Sequence, residues 1–65
     1  MPHIEINTWE GKSTETKRIM VQEITKTAVA VLGIKPEMVS VIIREIPKAN
    51  WAVGGVLDAD RDYES

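Results

Sequence analysis

Between Glu15 and Leu32 the chain runs without a glycine or a proline, and this stretch lies between two short runs of β-branched residues. Such a stretch is too long for one ordinary strand and fits a helix of about five turns. Ile19, Met20, Ile24, Thr27, Ala28, Val31 and Leu32 recur at helical spacing, and Lys17, Arg18, Gln22, Glu23 and Lys26 take the other side, the pattern of an amphipathic helix. Ser13 or Thr14 can cap its start, and Glu15 meets the positive end of the helix dipole. A full capping box is missing, because Thr16 and Lys17 stand where Glu or Gln is required. Gly33 suits the position just past the helix, and Pro36 bars its continuation. Ala28, Val29, Ala30 and Val31 make the last turns apolar nearly all round, so the helix is expected to meet a second surface besides its own sheet.

Residues 3 to 8 alternate, with Ile4, Ile6 and Thr8 on one side and His3, Glu5 and Asn7 on the other. The period of two predicts a half-buried strand. Glu10-Gly11-Lys12 breaks it as a tight loop. Lys35 to Met38 reads as a single turn. Val39 to Ile46 predicts a second strand whose centre, Val41-Ile42-Ile43, is apolar on both faces and therefore suits burial on both sides. Pro47 ends it. Strand, helix and strand in this order make a β-α-β unit, with parallel strands and a right-handed crossover. Gly54-Gly55, between Ala52-Val53 and Val56-Leu57, predicts a small hairpin. Asp58 to Ser65 is charged and aperiodic, and is expected to be a loose or partner-draped tail. Val and Ile number 7 and 8 against 2 Leu, a bias that assigns much of the core to a sheet rather than to a helical bundle.

The chain has 65 residues, room for a single domain (2–57 as core, 58–65 as tail). A domain this small buries only about 60% of the surface that its unfolded chain exposes. Disulfides, a metal or self-association are the usual remedies. There is no cysteine and one histidine, which removes disulfides and a His- or Cys-rich metal site and leaves oligomerisation. With 8 basic and 10 acidic residues there is no positive excess to bind nucleic acid. No apolar run approaches the roughly 20 residues of a membrane span, and Met1 to Glu5 does not read as a secretory signal. The expectation is a soluble, cytoplasmic protein.

Hydrolytic and metal motifs are absent. Gly54-Gly55 precedes no helix and is a turn rather than a phosphate loop. Glu5 and Glu10 read as a solvated strand face and a loop charge. The chemical asset is Pro2. Removal of Met1 is efficient before a small second residue, and proline qualifies. The chain then begins with a secondary amine, which an apolar pocket and neighbouring cations make less basic. A neutral amine near pH 7 is a competent general base. Lys12 in the first loop, Arg44 on the second strand and Trp51 near the hairpin can surround it. Each also has a plainer reading: a solvated loop charge, a strand-end ion pair and a packing residue.

Pro2 opening a strand, Trp9-Glu10-Gly11-Lys12-Ser13 before a long helix, Val39-Ser40-Val41-Ile42-Ile43-Arg44-Glu45, and Asn50-Trp51-Ala52-Val53-Gly54-Gly55 occur in this order. Together they resemble the tautomerase superfamily, specifically its short 4-oxalocrotonate tautomerase type, over residues 2 to about 57. The resemblance implies a β-α-β protomer, a four-stranded sheet in each dimer and a homohexamer built as a trimer of dimers. It implies an isomerase without cofactor, in which Pro2 moves a proton on an enol or 2-keto acid and interconverts keto and enol groups. Lys12 falls where family members carry an arginine that grips a substrate carboxylate; the charge is kept and the bidentate fork is lost. Trp51 falls on the aromatic that keeps the proline pocket apolar. Ser40 falls on a second substrate-binding arginine, so that cation is missing. Arg44, on the same strand face about 13 Å further along, cannot occupy the same point but can enter a pocket from another subunit. The departures leave two alternatives beside a tautomerase: a non-catalytic oligomeric module of the same fold, or a hydratase or dehalogenase variant.

Overall fold

The computed structural model describes residues 1–61. Strand β1 (His3–Trp9) leads into helix α1 (Thr14–Leu32), and strand β2 (Ser40–Ile46) returns to lie parallel to β1. The pairing sets His3 opposite Ser40, Asn7 opposite Arg44 and Trp9 opposite Ile46. A β-α-β protomer with parallel strands is thus the observed core of the fold, as the alternation of patterns predicts.

Local chemistry explains the boundaries of α1. Ser13 is the N-cap: its hydroxyl oxygen accepts the Thr16 N–H at 3.1 Å, and the hydroxyl donates to Thr16 Oγ1 at 3.0 Å. Thr16 therefore supplies a side-chain partner where a capping box would place Glu or Gln. At the other end Gly33 sits at φ 66°, and its N–H reaches the Val29 carbonyl at 2.9 Å, a left-handed cap that suits glycine. A 3-10 turn, Pro36–Met38, follows. Val39 donates to the Pro36 carbonyl at 3.0 Å and so belongs to this turn, which moves the start of β2 from the expected Val39 to Ser40. Beyond Pro47, a second 3-10 turn (Lys48–Asn50) leads to the antiparallel pair β3 (Ala52–Val53) and β4 (Val56–Leu57). Gly54 and Gly55, at φ 62° and 79°, make the two-residue turn that needs two positive φ values.

Two expectations are corrected. The centre of β2 is not buried on both sides within the protomer. Val41 and Ile43 are half-buried, whereas Ile42 is 45% exposed on the opposite face, because α1 covers one face of the sheet only. Asp58 is not part of a loose tail. Asp58–Asp60 form a 3-10 turn, and Asp58 is only 2% exposed, held by Trp9 and by the backbone of Trp51. Residues 62–65 of the expected tail lie outside the described residues.

The protomer measures 43 × 24 × 15 Å with a radius of gyration of 14.9 Å, against about 11 Å for a compact domain of this length. Among the described residues no hydrophobic side chain is fully buried, and Ile19, Val31 and Leu32 on α1 are 52%, 77% and 56% exposed. The small solitary core argued from chain length is visible directly.

Candidate active site

Pro2 stands at the head of β1, half-buried, and its carbonyl accepts the Ser40 N–H at 3.2 Å. This bond continues the parallel ladder by one residue and fixes the backbone of Pro2 beside Ser40. The two are brought together because β1 and β2 begin in register.

Lys12 and Trp51 are not brought to them. Pro2 and Trp9 are about 23 Å apart along an extended strand, and Lys12 follows in the loop after Trp9. Lys12 Nζ donates to the Trp9 carbonyl at 3.2 Å. Trp51 lines a cavity of about 300 Å³ with Asn7, Thr8, Trp9 and Asp58, also at the far end of β1. One protomer therefore holds the two halves of the expected site at opposite ends of its sheet.

Arg44 lies between these ends and is engaged. Its Nη1 donates to Glu5 Oε1 at 2.6 Å, the strand ion pair that its plainer reading describes. Glu5 is accordingly more than a solvated charge. Arg44 first and His3 second hold its carboxyl below the usual glutamate range, and Glu5 in turn raises the Arg44 guanidinium.

Two organising residues were missed in the sequence. The Glu45 carboxylate accepts the N–H groups of Gly11 and Lys12 at 3.0 and 3.2 Å through Oε2 and pairs with Lys17 of α1 through Oε1. These contacts, led by Lys17, keep Glu45 below the ordinary carboxylate range. Its signal was available: by alternation Glu45 shares the helix-covered face with Val41 and Ile43, where an acid needs partners. The second is Asp58, whose Oδ2 accepts Trp9 Nε1–H at 2.8 Å and whose N–H donates to the Trp51 carbonyl at 2.6 Å. Lys48 Nζ lies 4.4 Å from the centre of the Trp9 ring, within cation–π range. Asp58 lies 49 residues from Trp9 in the chain, and no local pattern predicts that meeting.

Parallel β1–β2, a covering helix and a short C-terminal hairpin define a 4-oxalocrotonate tautomerase fold. Residues 2–61 match the family model described as "Tautomerase enzyme". The chain is 45% identical over 56 residues to a probable tautomerase of Ralstonia nicotianae, covering 86% of this chain and 80% of that protein. It is 36% identical over 56 residues to the 2-hydroxymuconate tautomerase of Comamonas testosteroni, covering 86% and 89% of the two chains. Its fold superposes with a TM-score of 0.87 on a heterohexameric 4-oxalocrotonate tautomerase from Chloroflexus aurantiacus J-10-fl, at 33% identity and 92% and 97% coverage. The chain belongs to the tautomerase superfamily as a 4-oxalocrotonate tautomerase-like member.

Proposed function

We propose that this protein is a cofactor-free tautomerase that interconverts enol and keto forms of a 2-keto acid, with Pro2 as general base after removal of Met1. The observation that carries the reading is the anchorage of Pro2 at the head of β1 by the 3.2 Å bond from Ser40, in a fold shared with a 2-hydroxymuconate tautomerase. The neutral Pro2 nitrogen takes the proton from the enol oxygen, the charge spreads along the conjugated system, and the same proton is returned at carbon. Substrate and product are isomers, so no electron acceptor is needed. Lys12 binds a substrate carboxylate, Trp51 keeps water from the amine, and Ser40 meets the other end of the substrate.

The roughly 23 Å between Pro2 and the Lys12 end of β1 makes a complete site a property of an assembly. We assign a homohexamer, built as a trimer of dimers with a four-stranded sheet in each dimer. It is supported by the exposed Ile19, Val31, Leu32 and Ile42 and by the heterohexameric Chloroflexus relative. Arg44 is the least available of the candidate substrate contacts, because Glu5 already holds it.

The test is an enol–keto assay on phenylenolpyruvate and 2-hydroxymuconate with protein shown by intact mass to have lost Met1. Pro2→Ala is expected to lower kcat/KM by at least about 10²-fold. Undiminished activity in that variant overturns the role of Pro2. Quantitative retention of Met1 in the native protein favours the non-catalytic module, which the loss of an arginine at Ser40 also favours.

A further inference from the structure

The sheet face turned away from α1 carries a hydrogen-bonded chain of which the proposed chemistry uses only Ser40. Ser40 Oγ is 2.8 Å from His3 Nδ1, and His3 Nε2 is 3.0 Å from Glu5 Oε2. Arg44 Nη1 completes it at Glu5 Oε1, 2.6 Å away. The register accounts for the first link, since His3 and Ser40 are paired across the ladder. The period of two accounts for the second, since His3 and Glu5 share a face. The long Arg44 side chain reaches Glu5 diagonally from its place opposite Asn7.

Donor and acceptor rules fix the direction of these bonds. Glu5 is held ionised by Arg44 and His3, and an ionised carboxylate only accepts. His3 Nε2 therefore carries a proton whether the ring is neutral or charged. Nδ1 is left to decide what Ser40 does. In the neutral ring Nδ1 is bare and takes the Ser40 O–H, so that Ser40 turns only lone pairs outward. In the imidazolium Nδ1–H donates to Ser40 Oγ, and the hydroxyl proton is free to point at a ligand.

We propose that His3 is a positioning residue that sets whether Ser40 gives or takes a hydrogen bond at the substrate. With His3 charged, Ser40 donates and favours a second carboxylate. With His3 neutral, Ser40 accepts and favours a group bearing its own proton, such as a hydroxyl or an amide. This selectivity rests on the reading of Ser40 as a substrate contact in a Pro2-dependent tautomerase. The charged groups facing His3 among the described residues are Glu5 on β1 and Arg44 on β2, with the amino terminus beside it in the chain; α1 lies on the other face. Imidazole is the side chain that ordinarily changes charge between pH 5 and 8, whereas Glu5 and Arg44 are held charged throughout that range.

The experiment measures kcat/KM for 2-hydroxymuconate, a dicarboxylate, and for phenylenolpyruvate, a monocarboxylate, on the full-length protein lacking Met1. Each is taken at pH about 5.5 and about 8, either side of the histidine range. The titration of Pro2 acts on both substrates and divides out of the ratio. The dicarboxylate-to-monocarboxylate ratio is expected to rise about fivefold at the lower pH, the worth of roughly one hydrogen bond. His3→Gln, which does not titrate, and Ser40→Ala are each expected to flatten the ratio. A flat ratio in the wild type, or a pH dependence that survives in His3→Gln, overturns the proposal while leaving the tautomerase reading intact. Failure to turn over either substrate at both pH values overturns the tautomerase reading, and this proposal with it.

Discussion

Glu45 on β2 accepts the backbone N–H of Lys12 at 3.2 Å, tying the loop that carries a candidate substrate-binding cation to the end of the opposite strand. The same carboxylate holds Gly11 and Lys17. One acid thus joins β2, the β1–α1 loop and α1. The ordering of Lys12 depends on a residue 33 positions away that never needs to touch substrate.

This arrangement has a pH signature. The folded state holds Glu45 below its ordinary range, so its contribution is full above the unfolded value of about 4.3. It is lost as the pH falls through the lower folded value, because the unfolded chain then takes the proton more readily. Between the unfolded value and the lower folded value, the stability of Glu45→Gln is expected to show a shallower pH dependence than that of the wild type. At neutral pH the amides of Gly11 and Lys12 should exchange hydrogen faster in the variant. Equal exchange in both proteins would remove the loop-clamping role.

Asp58 tests the anchorage of the C-terminal segment. Asp58→Ala leaves the Trp9 indole N–H without its acceptor and should cost about 1–3 kcal/mol. Asp58→Asn keeps an acceptor of the same shape and should cost less. Denaturant midpoints at one fixed protein concentration measure both, since assembly makes stability concentration-dependent. Equal losses in the two variants would show that charge, rather than the hydrogen bond, matters here.

Lys12→Ala is expected to raise KM about tenfold with little change in kcat, as removal of a contact equal in ground and transition states does. Lys12→Arg restores a fork that matches a carboxylate and should bring KM to or below the wild-type value. A fall in kcat at unchanged KM in Lys12→Ala would instead place the ammonium at charge that develops during the reaction.

Trp51→Ala should admit water to the amine pocket and raise the pKa of the Pro2 nitrogen, because solvation favours the charged form. Titration of labelled proline by NMR, on protein lacking Met1, reads this directly. The same pKa in both proteins would leave Trp51 a packing residue only.

The strand, helix and hairpin were legible because each rests on a local rule. Ile4, Ile6 and Thr8 alternate, Ser13 caps, and Gly33, Gly54 and Gly55 stand where positive φ is needed. Pro2, Lys12, Ser40 and Trp51 could be singled out for their chemistry and by family resemblance. Glu45 and Asp58 could not be paired with Lys12 and Trp9 from the sequence, since their partners lie 33 and 49 residues away.

By itself, then, the sequence determined the elements and their order, because hydrophobic period, caps and turn residues act within a few positions of one another. Only the tertiary structure decided what each charge does. Parallel register sets His3 against Ser40 and lets Arg44 close on Glu5, and it leaves Pro2 and Lys12 at opposite ends of one strand. The physical reason is that a side chain's partner across a sheet depends on how two distant segments align, and a shift of one residue in that alignment would turn Ser40 and Arg44 to the face opposite His3 and Glu5.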